Sequence, residues 1–456
     1  MAKSSDNRPA FQRNRPTPQT GTLTPESTDN RPVREENPLT IVLWTSEIDR
    51  SGGGFRPNTD WANLPLFDRT GWRRLKFGAF ADSVDERIEP ADAAEEIYVG
   101  LEHLDSGSLH IRRWGKGSDV IGTKLRFRKG DVIFGRRRAY QRKLAVAEME
   151  GICSAHAMVV RAKPDMVLPK FLPFLMMSDK FMNRAVEISV GSLSPTINWT
   201  TLKLEEFDLP PLDQQRRIAE TLRAVDEDAQ GYDSLCDALA GARRSLIDGL
   251  IPTPAYAVRG QSFTRLDQVA SMQNGRPFAS AKYQEHGVRL IRPGNLAPDG
   301  TLDWSPSATV SLPEDFLEES PGWFIAADQV LINLTAQSLE DGFIGRVCFT
   351  GPTDAGLLNQ RIGRFVLSGD VLPRFLFRCL QTTTFRVLVE NRCEGSKIRH
   401  LYFRHFAAFQ LPVLSRASQE EIIDKLDAVD ACLNASGQAV SRLISLRQAL
   451  TNTLIE

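Results

Sequence analysis

Two stretches of the chain carry apolar residues at intervals of three and four. In the first, Ile218, Leu222, Val225, Ala229, Tyr232, Leu239, Ala242, Leu246 and Leu250 alternate with polar positions, a spacing that lays one apolar stripe along a helix. In the second, the stripe is Ile422, Leu426, Val429, Leu433, Val440, Leu443, Leu450 and Leu454. Each predicts a helix of about forty residues, far beyond the usual globular length, so each stripe needs a long partner to cover it. Either helix is that partner for the other, and an antiparallel coiled coil is the simplest packing. Gly231 and Gly437 fall near the two middles, where a local kink is expected. On this reading Leu235, Ile247, Ile423 and Leu446 lie beside the seam and are free to meet another subunit.

Ahead of each helix the pattern shortens to β-prone runs punctuated by Gly and charge, as at 97–101, 131–134 and 157–160, with a helix expected after Pro169. The expected fold class is therefore α/β (α+β): two pseudo-repeated mixed α/β domains, at 39–212 and 255–414, separated by two long antiparallel coiled-coil helices. The first helix and its linker take 213–254, and the second helix takes 415–456. Residues 1–38 are rich in Pro, Asn, Thr, Ser and Arg. With so few large apolar groups they are expected to be a disordered tail.

The halves are copies of one unit. Val167-Leu-Pro-Lys-Phe-Leu172 returns 204 residues later as Val371-Leu-Pro-Arg-Phe-Leu376. At the same offset Phe181 meets Phe385, Gly191-Ser192 meets Gly395-Ser396, Val225-Asp226 meets Val429-Asp430, and Leu250-Ile251 meets Leu454-Ile455. A duplicated unit presents two related surfaces, which suits a partner with two separated, similar features, and long DNA is such a partner.

The arrangement resembles the specificity subunits of type I restriction-modification systems. The likeness rests on a globular domain closing in Leu209-Pro-Pro-Leu-Asp-Gln-Gln-Arg-Arg-Ile218, a long helix, a second domain opening in Gly287-Val-Arg-Leu-Ile-Arg-Pro-Gly-Asn295, and a second long helix. The C-terminal copy departs from it, with Leu-Pro-Val-Leu at 411–414. The resemblance implies a non-catalytic subunit whose two target-recognition domains each read half of a split sequence in double-stranded DNA. It implies that the helices space those domains and dock two methyltransferase (M) subunits. S-adenosylmethionine is then expected in the M subunits, this chain holds no cofactor of its own, and restriction (R) subunits complete the assembly.

Composition narrows this reading. The 456 residues exceed what one core organises, and the formal net charge of −1 argues against a uniformly basic coat. Charge is nevertheless uneven, because residues 112–143 hold twelve lysines and arginines against Asp119 and Asp131. Within that run Arg136, Arg137, Arg138, Tyr140, Gln141, Arg142 and Lys143 follow a strand-like segment, so they are expected on a loop projecting from a sheet edge. Guanidinium forks suit phosphate oxygens or the guanine edge, and an amide suits adenine. The corresponding place in the second half offers Asn333, Thr335, Gln337 and Ser338. The duplicated Gly-Ser loops add Ser192 and Ser194 in the first half and Lys397, Arg399, His400 and Arg404 in the second.

The six cysteines lack metal spacing and read as buried thiols of a reducing compartment. No segment approaches the length and apolarity of a membrane span and the N-terminus is polar, so a cytoplasmic protein without membrane contact is expected. No phosphate-binding loop, nucleophile elbow, His-Glu-x-x-His pair or Asn/Asp-Pro-Pro-Tyr/Phe motif occurs. The alternative, a duplicated pseudo-symmetric enzyme of unknown chemistry, requires matching acid, base or thiol groups in both copies.

Overall fold

The computed structural model describes residues 64–456 apart from 193, 258, 340 and 341; the expected tail at 1–38 lies outside the described residues. Arg73–Lys76 (β1) and Ala81–Val84 (β2) open the first domain, followed by Val132–Phe134 (β3), Leu144–Val146 (β4), Met158–Ala162 (β5) and Glu206–Leu209 (β6). Strand β1 pairs antiparallel with β6, Arg73 opposite Leu209, so the domain is closed by its own first and last strands. Strands β2, β5, β3 and β4 form a four-stranded sheet in that order. A second sheet holds the one parallel pair of the half, Ile97–Val99 against Gly151–Cys153. Helices Leu172–Met177 (α1) and Asp179–Glu187 (α2) cover the first sheet, and Ser178 caps α2 by accepting the Phe181 N–H at 3.2 Å.

Helix α3, Leu212–Leu250, leads to the second domain. Its strands are Phe263–Arg265 (β7), Ala270–Asn274 (β8), Val330–Asn333 (β9), Thr335–Ala336 (β10), Val347–Phe349 (β11), Ile362–Leu367 (β12), Arg399–His400 (β13) and Gln410–Pro412 (β14). The frame of the first half repeats. Strand β7 pairs with β14, the sheet order β8, β12, β9, β11 matches β2, β5, β3, β4, and Val288–Ile291 lies parallel to Gly356–Leu358. Helices Pro373–Cys379 (α4) and Thr383–Arg392 (α5) follow, α5 capped by Thr382 as α2 is by Ser178. The chain ends in α6, Arg416–Ile455. The cores repeat as well: Phe77, Phe181 and Phe207 cluster in the first domain with centroids 5.2–5.8 Å apart, and Phe385, Phe406 and Phe409 in the second, where Phe385 lies 5.0 Å from Phe409 and 5.6 Å from Phe406.

The long helices run antiparallel, because each joins both cores. Ile218, Leu222 and Val225 of α3 pack into the first-domain core beside Leu446, Leu450 and Leu454 of α6, while Ile247 of α3 joins Ile422, Ile423 and Leu426 in the second. Docking repeats at both ends. The Thr383 N–H donates to Asp248 at 2.8 Å, and the Asp179 N–H donates to Asn452 at 3.0 Å. In the first turn of each helix a buried glutamine clasps its domain: Gln215 accepts the Leu168 N–H at 2.8 Å and donates to the Met166 and Pro210 carbonyls, and Gln419 does the same with Leu372, Asp370 and Leu414.

The apolar stripe misplaces part of the seam. Tyr232 and Leu246 are 43% and 39% exposed, because charged Asp226, Arg243, Asp430 and Arg447 turn inward instead. Arg447 pairs with Asp226, with side chains 5% and 7% exposed, and Arg243 pairs with Asp430, 14% and 25% exposed. Ile247, Ile423 and Leu446 are buried in the domain cores; of the four residues expected beside the seam only Leu235, at 44%, is exposed. Both helices continue through Gly231 and Gly437. Three of the thiols, Cys153, Cys348 and Cys379, are buried, whereas Cys432 is exposed. Burial pushes the Cys153 thiol up to about 12.

Candidate nucleic-acid interface

In each half the structure brings two predicted loops together, at the end of a central strand. In the first, the segment after β3 lies against the Gly-Ser loop: Arg138 N–H donates to Pro195 O at 2.8 Å, Ile197 N–H donates to Arg136 O at 2.9 Å, and Arg137 bridges Thr196. In the second, β10 pairs with β13, Thr335 opposite His400, and Leu401 N–H donates to Leu334 O at 2.9 Å. The Gly-Ser loops themselves close alike, Val190 with Thr196 and Glu394 with His400. Gly191 and Gly395 sit at φ of 119° and 105°, a region that side chains rarely enter. A composite polar surface, one per domain, is thus built from backbone pairing rather than from any single loop.

The basic run of the first domain is less free than its linear charge suggests. Arg112 pairs with Asp233 at 2.5 Å, Arg126 with Glu96 at 3.0 Å, and Lys116 with Glu95 at 3.4 Å, while Arg113 pairs with Asp105. Buried Lys124 donates to the Ile121 and Gly122 carbonyls at 2.5 and 2.6 Å. The 135–143 segment does not project as expected; it folds back on the domain. Arg142 pairs with Asp179, beside Asn452 of α6, and Lys143 donates to Leu101 O at 2.8 Å. Those two side chains are tied to the scaffold and only partly exposed.

Three arginines remain at the surface. Arg136 donates to Ala155 O at 3.0 Å. Arg137 is clamped, its Nε donating to Ser194 Oγ at 2.7 Å and its Nη1 lying 3.2 Å from His156 Nε2. Burial, reinforced by Arg137, Arg136 and Lys124, lowers the His156 pKa, which favours the neutral ring that accepts from Arg137. Arg138 is exposed and its guanidinium has no partner among the described residues. Its backbone sits in the left-handed region at φ 58°, and Arg142 at 51°, conformations that cost a non-glycine residue about 1–2 kcal/mol. Between them Ala139 is buried and Tyr140 is 57% exposed; Gln141 is half-buried and Ser192 exposed.

In the second domain Asn333 is fully buried and donates to the Thr335 and Phe343 carbonyls at 2.8 Å each. It shapes the turn out of β9 and is closed to any ligand. Thr335 and Ser338 are half-buried, Gln337 and Lys397 exposed, and Arg399 sits beside them. His400 stacks on Tyr402 with centroids 6.4 Å apart, and Arg404 lies 4.3 Å over the same ring. Residues 360 and 361, which sequence reasoning missed, border this surface: Leu334 N–H donates to Arg361 O at 2.9 Å. Among the described residues no three His, Cys, Asp or Glu side chains gather as metal ligands, and no helix is long and apolar enough to cross a membrane.

The family model described as "Type I restriction modification DNA specificity domain" matches residues 116–230, the later part of the first domain and the start of α3. The chain is 19% identical to the MjaVIII type I specificity subunit of Methanocaldococcus jannaschii, over 91% of this chain and 97% of that one. Over nearly its whole length the chain is thus similar to a specificity subunit of a type I restriction-modification system. A second relative, the EcoDI specificity subunit of Escherichia coli, is 26% identical over 32% of this chain and 33% of its own length. Solved structures agree on the fold. A chain from a study of assembly and conformational transition in a type I system aligns over 85% of this chain and 98% of its own length, with 20% identity and a TM-score of 0.54. The type I S subunit of M. genitalium aligns over 85% and 96%, with 15% identity and a TM-score of 0.51.

Proposed function

We propose that this specificity subunit reads a two-part target in double-stranded DNA, one part with each composite surface, and carries two M subunits on its helices. The observation that supports it most is the exact recurrence of the loop pairing, Arg137 with Thr196 and Thr335 with His400, on a duplicated frame whose helices join both domains. Among the predicted residues, Arg136, Arg137, Arg138, Tyr140, Gln141, Ser192 and Ser194 face the first half-site, and Thr335, Gln337, Ser338, Lys397, Arg399, His400 and Arg404 the second. Exposed Tyr232, Leu235, Leu246 and Ile444 on the mid-helix faces supply the apolar contact for M subunits. The subunit performs no chemistry and holds no cofactor; S-adenosylmethionine belongs to the M subunits, R subunits join through the assembled complex, and the whole works in the cytoplasm.

The enzyme alternative has little to work with. The inward-facing charged positions common to both copies, Asp226 with Arg447 and Asp430 with Arg243, are spent on one another. Co-expression with the cognate methyltransferase followed by methylation mapping tests the proposal. A gapped, two-part motif that disappears without this subunit is expected; an ungapped motif, or a map indifferent to the subunit, would refute it.

A further inference from the structure

Beside the arginines already described, the two composite surfaces exchange one arginine between strand ends. The pairings Phe134 with Met158 and Ile332 with Gly363 make His156 and Arg361 structural counterparts, as the bridges make Arg137 and Thr335 counterparts. The first domain therefore has arginine on the central-strand loop and a neutral imidazole on the neighbouring turn. In the second domain a hydroxyl occupies the loop and the arginine is on the turn. Sequence alignment alone hides the exchange, because the turn before β12 lies outside the recognisable repeat.

The second-domain turn is rigid at its base and free at its tip. Asn359 is 8% exposed, its side-chain oxygen accepting the Arg361 N–H at 3.1 Å and its carbonyl the Ile362 N–H at 2.9 Å. Gln360 N–H donates to Arg276 O at 3.0 Å, and the Arg361 carbonyl holds Leu334. Gln360 and Arg361 are nevertheless both exposed. Several neighbouring arginines of this domain have carboxylate partners, Arg265 with Asp267, Arg386 with Glu390 and Arg404 with Glu394. The Arg361 guanidinium has none among the described residues. A fixed backbone with an uncommitted fork of donors, beside Thr335 and Arg399, is the arrangement that base reading needs.

Resting on the DNA-reading function above, we propose that Arg361 is a specificity-determining residue of the second domain, donating its fork to a guanine edge. The test uses the full chain assembled with its methyltransferase, the cognate duplex and its single-base variants. Arg361→Ala is expected to weaken cognate binding about 5- to 150-fold, and to abolish the preference at one base pair of one half-site while the other half-site is read as before. Arg361→Lys should fail to restore that preference, because a point charge lacks the planar fork. The intact half-site in the same molecule shows that the variant is folded. Unchanged affinity and preference in Arg361→Ala would overturn the proposal. So would a uniform loss at every sequence that Arg361→Lys repairs, the mark of a phosphate contact. Failure of the underlying function looks different: the unsubstituted complex would then show no two-part target at all.

Discussion

The two mixed α/β domains share a frame and differ in how they are clasped to the helices. In the first, the Arg447–Asp226 pair is joined by His110, whose Nε2 lies 2.6 Å from Asp226 and whose Nδ1 lies 2.9 Å from Glu148. In the second, Arg243 and Asp430 are joined by Arg378, fully buried and 2.7 Å from Asp430 and 2.5 Å from Asp427. The counterpart of Arg378 is Phe174, so one end spends a core position on packing and the other on charge. Duplication has kept the pair that binds helix to helix, while the group that ties each domain to that pair has diverged along with the reading loops.

Several substitutions separate what is common from what is not. The largest effect is expected for Arg447→Ala, which leaves Asp226 buried, at about 3–5 kcal/mol. Arg243→Ala should lose only about 1–2 kcal/mol, since Asp430 is more exposed and keeps Arg378. Equal losses in urea titrations would erase the distinction drawn here. Gly395→Ala comes next: its new methyl would lie 2.1 Å from Ile398 O, whereas at Gly191 the nearest atom is 3.5 Å away. The expected losses are about 2 kcal/mol or more at Gly395, and about 1 kcal/mol at Gly191 from backbone strain alone. The clasping glutamines are the control for sameness, and Gln215→Ala and Gln419→Ala should each lose about 1–3 kcal/mol, matching within error.

The smallest effect is a pH dependence confined to the first clasp. Burial opposes the charge on His110, but the hydrogen bonds and charges of Asp226 and Glu148 outweigh it and raise its pKa above 6.5. A pKa raised on folding means that the stabilisation is fully present below the unfolded value and fades as pH rises through the folded one. Unfolding measured from pH 6 upward should show that slope in the native chain and lose it in His110→Gln. A slope that survives the substitution places its origin elsewhere.

Much of this organisation was legible in the residues. The fold class and the antiparallel helices emerged from apolar spacing and from one internal repeat, since burial and backbone pairing impose periodicities that survive divergence; the family likeness came from the junction motifs at 209–218 and 287–295. What escaped notice was pairing between distant positions. Arg142 reads as free until Asp179 folds against it, the run at 112–143 reads as basic until Asp233, Glu95 and Glu96 arrive, and Asn333 reads as a loop amide although it fastens its own turn. Tyr232 and Leu246 were placed in the seam because apolar periodicity is blind to inward-facing ion pairs. Arg361 lay outside the repeat, and only strand register brought it beside Thr335.

The pairing of each domain's first strand with its last has an evolutionary reading. With β1 beside β6 and β7 beside β14, the chain leaves each domain one strand-spacing, about 4.8 Å, from where it came in. A recombination event that replaced everything between those two strands would change a whole domain without shifting either long helix.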